Sequence, residues 1–104
     1  MIPASVRILV CTEPVDMRRS FDGLALAAKE RLGQDPQSGA LFVFINRRAN
    51  RLKTLWFDRN GYCILYKRLH QARFSLPEQR VIDARTLAIV LRGVDKTSRR
   101  SLRS

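Results

Sequence analysis

The chain has 104 residues, enough for one compact domain and too few for two ordinary ones. Its 45% hydrophobic and 28% charged residues exclude a disordered chain. Twenty Lys and Arg residues against nine Asp and Glu give a formal net charge of +11, an excess typical of proteins that bind polyanions. Fifteen of those basic residues, against four acidic ones, lie in residues 47–104, which predicts one basic region on an otherwise balanced domain.

The first half of the chain indicates a strand followed by a helix. Residues 6–11 are apolar and rich in β-branched side chains, which predicts a strand. Apolar residues recur at helical spacing over residues 21–32, which predicts a helix with Ser20 as its N-cap and Gly33 as its C-cap. A Pro- and Gly-containing turn follows at residues 35–39.

The second half predicts three strands and a second helix. The strand-like runs are residues 41–46, 52–58 and 62–69, and Asn60-Gly61 between the last two is a strong hairpin signal. Asp83 caps a helix that continues through Val90 and ends at Gly93.

The order of these elements predicts a single small α+β domain over residues 1–96. It consists of an antiparallel β-meander, one helix after the first strand and one C-terminal helix. We expect residues 97–104, rich in Ser and Arg, to form a basic flexible tail.

A two-residue turn at Asn60-Gly61 predicts the pairing of the hairpin. Opposed residues share a sheet face, so Leu55, Phe57, Ile64 and Tyr66 should form one apolar face. The same pairing places Lys53 directly opposite Arg68, where a bound phosphate would relieve the repulsion between them.

The basic residues around this hairpin end are the candidate phosphate contacts. We expect cations of the 47–51 turn to converge with those of the paired strands, and we add the Arg pair that precedes the first helix and one Arg after the hairpin. The candidate nucleic-acid-binding residues are Arg47, Arg48, Arg51, Lys53, Lys67, Arg68, Arg73, Arg18 and Arg19.

The sequence predicts neither catalysis nor a cofactor. His70 is the single histidine and lies in a basic stretch. The sequence around it has neither the nucleophile nor the carboxylate that a catalytic triad needs. Cys11 and Cys63 lie in apolar runs without metal-binding spacing, which favours buried free thiols over a zinc site. A metal-dependent nuclease would bind its metal through acidic residues, and the candidates are Asp16, Asp22 and Asp58. A helix-capping or turn role explains these residues without a metal.

We expect a cytoplasmic protein that does not enter the membrane. The N-terminus lacks the basic start and sustained apolar stretch of a signal peptide. The longest purely apolar run covers residues 40–45, far short of the roughly 20 residues that a membrane helix requires.

Four blocks of sequence resemble a known family. DMRRSFDGL at 16–24, GALFVF at 39–44, RLKTLWFD at 51–58 and YKRL at 66–69 followed by Arg73-Phe74 are similar to the TnpB accessory proteins of insertion sequences, in the family numbered sixty-six. The resemblance runs from residue 1 to about residue 91. It implies a protein that is encoded beside a larger transposase and supports transposition.

Charge and resemblance together predict a non-catalytic accessory protein for DNA transposition. Its expected partners are DNA and the transposase of the same element, and its oligomeric state stays open. Two alternatives remain: a protein–protein adaptor that contacts the transposase and not DNA, and a small metal-dependent nuclease.

Overall fold

The computed structural model describes residues 5–95, which form a small α+β domain with a mostly antiparallel sheet. The predicted tail at residues 97–104 lies outside the described residues. In chain order the elements are β1 (Ile8–Val10), α1 (Phe21–Leu32), β2 (Leu41–Ile45), β3 (Arg51–Asp58), β4 (Gly61–Arg68), β5 (Ala72–Arg73), β6 (Val81–Ile82), α2 (Ala84–Arg92) and β7 (Val94–Asp95).

The main sheet of the described region has five strands in the order β4-β3-β2-β1-β6. β2, β3 and β4 are antiparallel neighbours, as a meander requires, but β1 pairs with β2 in parallel. The predicted antiparallel meander does not account for this parallel pair. The reason is α1, because a helical crossover between two neighbouring strands returns the chain in the same direction. β5 and β7 form a separate two-stranded ladder.

β2 lies in the centre of the sheet and is buried on both faces. All five of its residues are buried: Phe42 and Phe44 point to the α1 side, and Leu41, Val43 and Ile45 point to the opposite side. A strand covered on both faces is continuously apolar instead of alternating, as LFVFI is.

α1 covers one face of the sheet. Its buried residues are Leu24, Ala27, Ala28 and Leu32, and they pack in the same cluster as Phe42 and Phe44. The helix ends as predicted at Gly33, whose left-handed backbone (φ 62°) lets the Gly33 N–H donate to the Lys29 carbonyl and the Gln34 N–H donate to the Ala28 carbonyl. Ser20 occupies the predicted N-cap position, although its side chain makes no capping hydrogen bond.

α2 belongs to the cluster on the other face. Leu87 and Val90 are buried there with Phe74. Asp83 caps the helix as predicted, because its Oδ1 accepts a hydrogen bond of 2.8 Å from the Thr86 backbone N–H. That hydrogen bond is also the main cause that lowers the pKa of the Asp83 carboxyl. No helix within residues 5–95 is long and apolar enough to cross a bilayer.

The β3–β4 hairpin forms, but its turn lies one residue earlier than predicted. Asp58 pairs with Gly61, so Arg59 and Asn60 make the turn, and Arg59 takes the positive φ of 58°. Every pairing is shifted by two residues from the predicted one. A shift of two keeps each side chain on its predicted face. Leu55 consequently pairs with Ile64, and Lys53 faces Tyr66 and not Arg68.

We predict that two glycines with positive φ differ sharply in their tolerance of alanine. Gly33 is in the αL region with open space around the missing Cβ, so Gly33→Ala should cost about 1 kcal/mol. Gly93 has φ 77° and ψ 170°, a region that is essentially confined to glycine. A Cβ there would also lie 2.7 Å from Leu69 Cδ1 and 3.2 Å from the Arg73 carbonyl oxygen. Urea unfolding should show a clearly larger decrease in stability for Gly93→Ala, and equal decreases would contradict this interpretation.

Candidate nucleic-acid interface

A tight turn between β2 and β3 carries two exposed arginines. The Asn46 side chain organises it: Oδ1 accepts from the backbone N–H groups of Asn50 (3.0 Å) and Arg51 (2.9 Å), and Nδ2 donates to Asn50 Oδ1 at 2.8 Å. These hydrogen bonds pair polar groups within the turn and hold its backbone in place. The side chains of Arg47 and Arg48 are exposed to solvent on this backbone.

The loop before α1 brings Arg18 to the same end of the sheet. Val15 N–H donates to the Ile45 carbonyl at 3.0 Å, which ties the loop to the end of β2. A cleft of about 460 Å³ results, and the charged residues that line it are Asp16, Arg18, Arg47, Arg48 and Arg51.

Asp16 is the acidic member of this cleft. Arg18 donates to it from its backbone N–H at 2.8 Å and from its guanidinium at 2.7 Å. These hydrogen bonds, the side-chain one first, hold the pKa of the Asp16 carboxyl down at about 2. The carboxylate is therefore charged throughout the physiological range and offsets part of the positive charge of Arg18.

A second cleft lies on the other side of the same turn. It has a volume of about 340 Å³, and three of the residues that line it are Arg47, Arg48 and Arg73. Backbone hydrogen bonds hold the chain after β4 against the turn, from Leu69 N–H to the Asn50 carbonyl and from Phe74 N–H to the Ala49 carbonyl. The fold thus places Arg73 beside the turn although it follows Arg48 by 25 positions in the sequence.

The paired strands add two more cations at this end. Arg51 is directly opposite Arg68 in the β3–β4 ladder. Like charges in directly opposed positions are mildly destabilising. We call the resulting group the arginine end; it consists of Arg18, Arg47, Arg48, Arg51, Arg68 and Arg73. Six of the nine candidate residues therefore lie in one region; Arg18 and Arg73 join it through tertiary contacts that the hairpin pairing did not predict.

Lys53 is not part of this group. Its side chain is only 9% exposed, and its Nζ donates hydrogen bonds of 2.8 Å to the carbonyls of Met17 and Arg19. Nζ also lies 4.8 Å from the centre of the Tyr66 ring. The predicted convergence of Lys53 with Arg68 is wrong, because the shifted pairing places Lys53 opposite Tyr66 and the loop before α1 supplies carbonyls that bind its ammonium.

Two further candidates point to local partners. Arg19 Nη1 donates to the Gly23 carbonyl in the first turn of α1 at 3.2 Å. Lys67 Nζ donates to the Leu91 carbonyl near the end of α2 at 2.8 Å. A cation at a helix C-terminus is favourable, and the hydrogen bond joins β4 to α2. Both side chains thus have intramolecular roles in this structure.

Sequence reasoning missed the roles of Asn46 and Asp16 at this site. Asn46 and Asn50 flank the Arg47–Ala49 segment, and that symmetric placement is the signal of a self-contained turn. The sequence suggests Asp16 only as a metal ligand or a turn residue. Among the residues that the structure describes, no group of three or more His, Cys, Asp or Glu is placed to hold a metal ion.

Fold and site together define a small basic α+β domain with an arginine-rich end. The family described as IS66 Orf2-like protein matches residues 6–101. The chain belongs to this family of insertion-sequence proteins. It is 38% identical over 101 residues to the uncharacterized protein y4hO of Sinorhizobium fredii (strain NBRC 101917 / NGR234), covering 91% of this chain and 88% of that relative.

A second relative from the same organism, the uncharacterized protein y4jC, is 38% identical over 72 residues. That match covers 69% of this chain and 62% of the relative. No solved structure matches the chain significantly.

We predict that Lys53 supports stability through its hydrogen bonds to two carbonyls. Lys53→Met keeps the length of the side chain but leaves the carbonyls of Met17 and Arg19 without their donor. The expected decrease is about 1–3 kcal/mol in the free energy of unfolding, measured with urea. The matched control is Lys67→Met, which removes an exposed lysine bonded to one carbonyl and should cost much less. A Lys53→Met variant as stable as the parent would show that these hydrogen bonds are dispensable.

Proposed function

We propose that this protein is a non-catalytic accessory factor of insertion-sequence transposition that binds DNA phosphates through the arginine end. The observation that carries the proposal is the convergence of six arginines from four separate segments of the chain. Membership of the IS66 Orf2-like family supports the setting in transposition.

The chemistry of the arginine end suits phosphate better than a carboxylate-bearing partner. A guanidinium presents five N–H donors in a planar fork that fits the oxygens of a phosphate. The two clefts on either side of the β2–β3 turn share Arg47 and Arg48, so neighbouring phosphates of one strand could be bound from a single turn. Such contacts orient a protein on DNA without reading its sequence.

Stiffness of the turn favours binding as well. The Asn46 hydrogen bonds order the backbone before any ligand arrives, so binding costs little conformational entropy of the main chain. The remaining cost lies in the long arginine side chains. An adaptor that contacts only a protein partner would have less need of six arginines around one turn.

The transposase of the same element is the second proposed partner. An apolar groove of about 640 Å³ runs between α2 and the β3–β4 hairpin, with Trp56, Leu65, Leu87 and Leu91 among its lining residues. Trp56, Leu87 and Leu91 belong to the cluster on the side of the sheet opposite α1, and the pairing of β4 with β3 places Leu65 on that side as well. A protein bound there would leave the arginine end accessible, so that one molecule could join transposase and DNA. Co-purification with the transposase, with and without the element's terminal DNA, tests this role.

We further propose that the chain performs no DNA cleavage itself. Asp16 lines the same cleft as Arg51, the first residue of β3, whereas Asp58 is the last residue of this eight-residue strand, which is about 23 Å long. These carboxylates are too far apart to share a metal ion. Supercoiled plasmid incubated with pure protein and Mg²⁺ or Mn²⁺ should stay intact. Cleavage that disappears with Asp16→Ala or Asp58→Ala would overturn the proposal.

We predict that the turn arginines dominate DNA affinity. Replacing Arg47, Arg48 and Arg51 by Gln should weaken binding to all sequences about equally, by roughly tenfold or more near 0.1 M salt. The salt slope should flatten by about 0.9 for each phosphate that is no longer neutralised. Asp16→Asn removes the negative charge of the same cleft and should strengthen binding. Fluorescence anisotropy with a duplex oligonucleotide at several salt concentrations measures these effects.

The control for this prediction removes the same charge from elsewhere. Arg80, Arg85 and Arg92 are exposed and belong to the β6–α2 region. Their replacement by Gln lowers the net charge by the same three units. If this variant is weakened as much as the turn variant, binding follows total charge and the arginine end is not the site.

A further inference from the structure

β4 forms one edge of the sheet, and its outer side is unpaired among the strands of residues 5–95. In an antiparallel ladder, alternate residues bond to the neighbouring strand and the others point their N–H and C=O groups away. Leu69 N–H donates to the Asn50 carbonyl, so the odd-numbered residues of β4 face β3. The backbone groups of Tyr62, Ile64 and Tyr66 consequently point outward.

This edge lacks the usual protection against pairing. Exposed edges are commonly blocked by charged side chains, proline or a bulge. The stretch GYCILY at residues 61–66 has no charge and no proline, and it pairs with β3 without a bulge. Leu65 and Tyr66 are 44% and 50% exposed. Lys67 and Arg68, the charged residues of β4, both lie at its C-terminal end.

We propose that β4 pairs antiparallel with β4 of a second copy of this chain, about a two-fold axis at Ile64. This pairing joins two five-stranded sheets into one continuous sheet. It places Ile64 opposite the partner's Ile64 and Tyr62 opposite the partner's Tyr66, so the outward-pointing backbone groups meet in hydrogen-bonded pairs. Cys63 comes opposite the partner's Leu65 on the other face.

The distribution of charge favours a second copy of this chain as the partner of β4, and it favours a two-fold axis at Ile64. Lys67 and Arg68 come opposite the partner's Gly61 and Asn60, so that no cation opposes another and the centre of the interface is apolar. An axis at Leu65 would instead place Lys67 opposite Cys63 and Arg68 opposite Tyr62. Because 62–66 has tyrosine at both ends and isoleucine at its centre, the strand is complementary to itself when reversed.

The dependence on salt concentration distinguishes this association between two copies from binding to a polyanion. Each copy has a net charge of +11, so two copies repel each other at low ionic strength. Added salt screens that repulsion and should promote pairing, whereas it weakens binding to phosphate. Failure of the pairing would therefore leave the proposed DNA site untouched, and the reverse also holds.

Two measurements on the full chain test the pairing. Sedimentation velocity should show a monomer–dimer equilibrium that shifts several-fold toward dimer between about 0.1 M and 1 M NaCl. Amide hydrogen exchange should show protection of Tyr62, Ile64 and Tyr66 that rises with protein concentration, while Cys63 and Leu65, bonded to β3, are protected throughout. A monomer at both salt concentrations would overturn the proposal. So would protection of Tyr62, Ile64 and Tyr66 that persists on dilution, since the edge would then be covered from within the chain.

A designed cross-link tests the axis. Non-hydrogen-bonded pairs bring opposed Cα atoms to about 4.5 Å, within the range of a disulfide. Leu65→Cys should therefore form a reducible dimer with Cys63 of the partner under oxidised glutathione. The matched control, Leu65→Cys combined with Cys63→Ser, lacks the opposed sulfur and should stay monomeric on a denaturing gel. Equal cross-linking of both variants, or of neither, would overturn pairing about Ile64.

Discussion

The buried ammonium of Lys53 joins the sheet to the loop that precedes α1. Taking a charge out of water is costly unless its donors are satisfied, and here the carbonyls of Met17 and Arg19 and the face of Tyr66 surround it. These contacts fix residues 17–19 against β3. Arg18 lies between the two carbonyls that Lys53 holds, so the position of a solvent-exposed arginine depends on an internal lysine. The same anchor sets the start of α1.

The second constraint is the central strand. β2 is buried on both faces, and its last residue, Ile45, leads directly into the Asn46 turn. Exposed cations are therefore carried by a rigid element with its own hydrogen bonds, while Arg73 and Arg18 are brought to it by backbone bonds from two other segments. Groups held in this way give up little backbone freedom on binding, which lowers the entropic cost of binding an anionic ligand at this end.

Local patterns predicted the local structure. Apolar periodicity and caps identified both helices, and period-two alternation assigned Leu55, Phe57 and Ile64 to one face, where the structure has them. The exact pairing was beyond such patterns. Asn60-Gly61 is a strong signal for a turn, but it carries information about only the four residues of that turn. The partners of Lys53 lie 34 and 36 residues away in sequence, so no short stretch of sequence contains them. The parallel pairing of β1 follows from the helix between β1 and β2. The closeness of Arg18 and Arg73 to the turn depends on tertiary contacts.

The arginine end opposes the stability of the free domain. Arg51 and Arg68 are directly opposed, which costs a fraction of a kcal/mol in water. Further arginines lie around this pair, and Asp16 is the acidic residue that lines the same cleft. A domain of this size has a modest core and a small net stability, so even a weak repulsion is not negligible. A ligand that binds only the folded state stabilises it by mass action. A polyanion at this end would both gain binding energy and relieve the repulsion between the arginines, which links that repulsion to the proposed role.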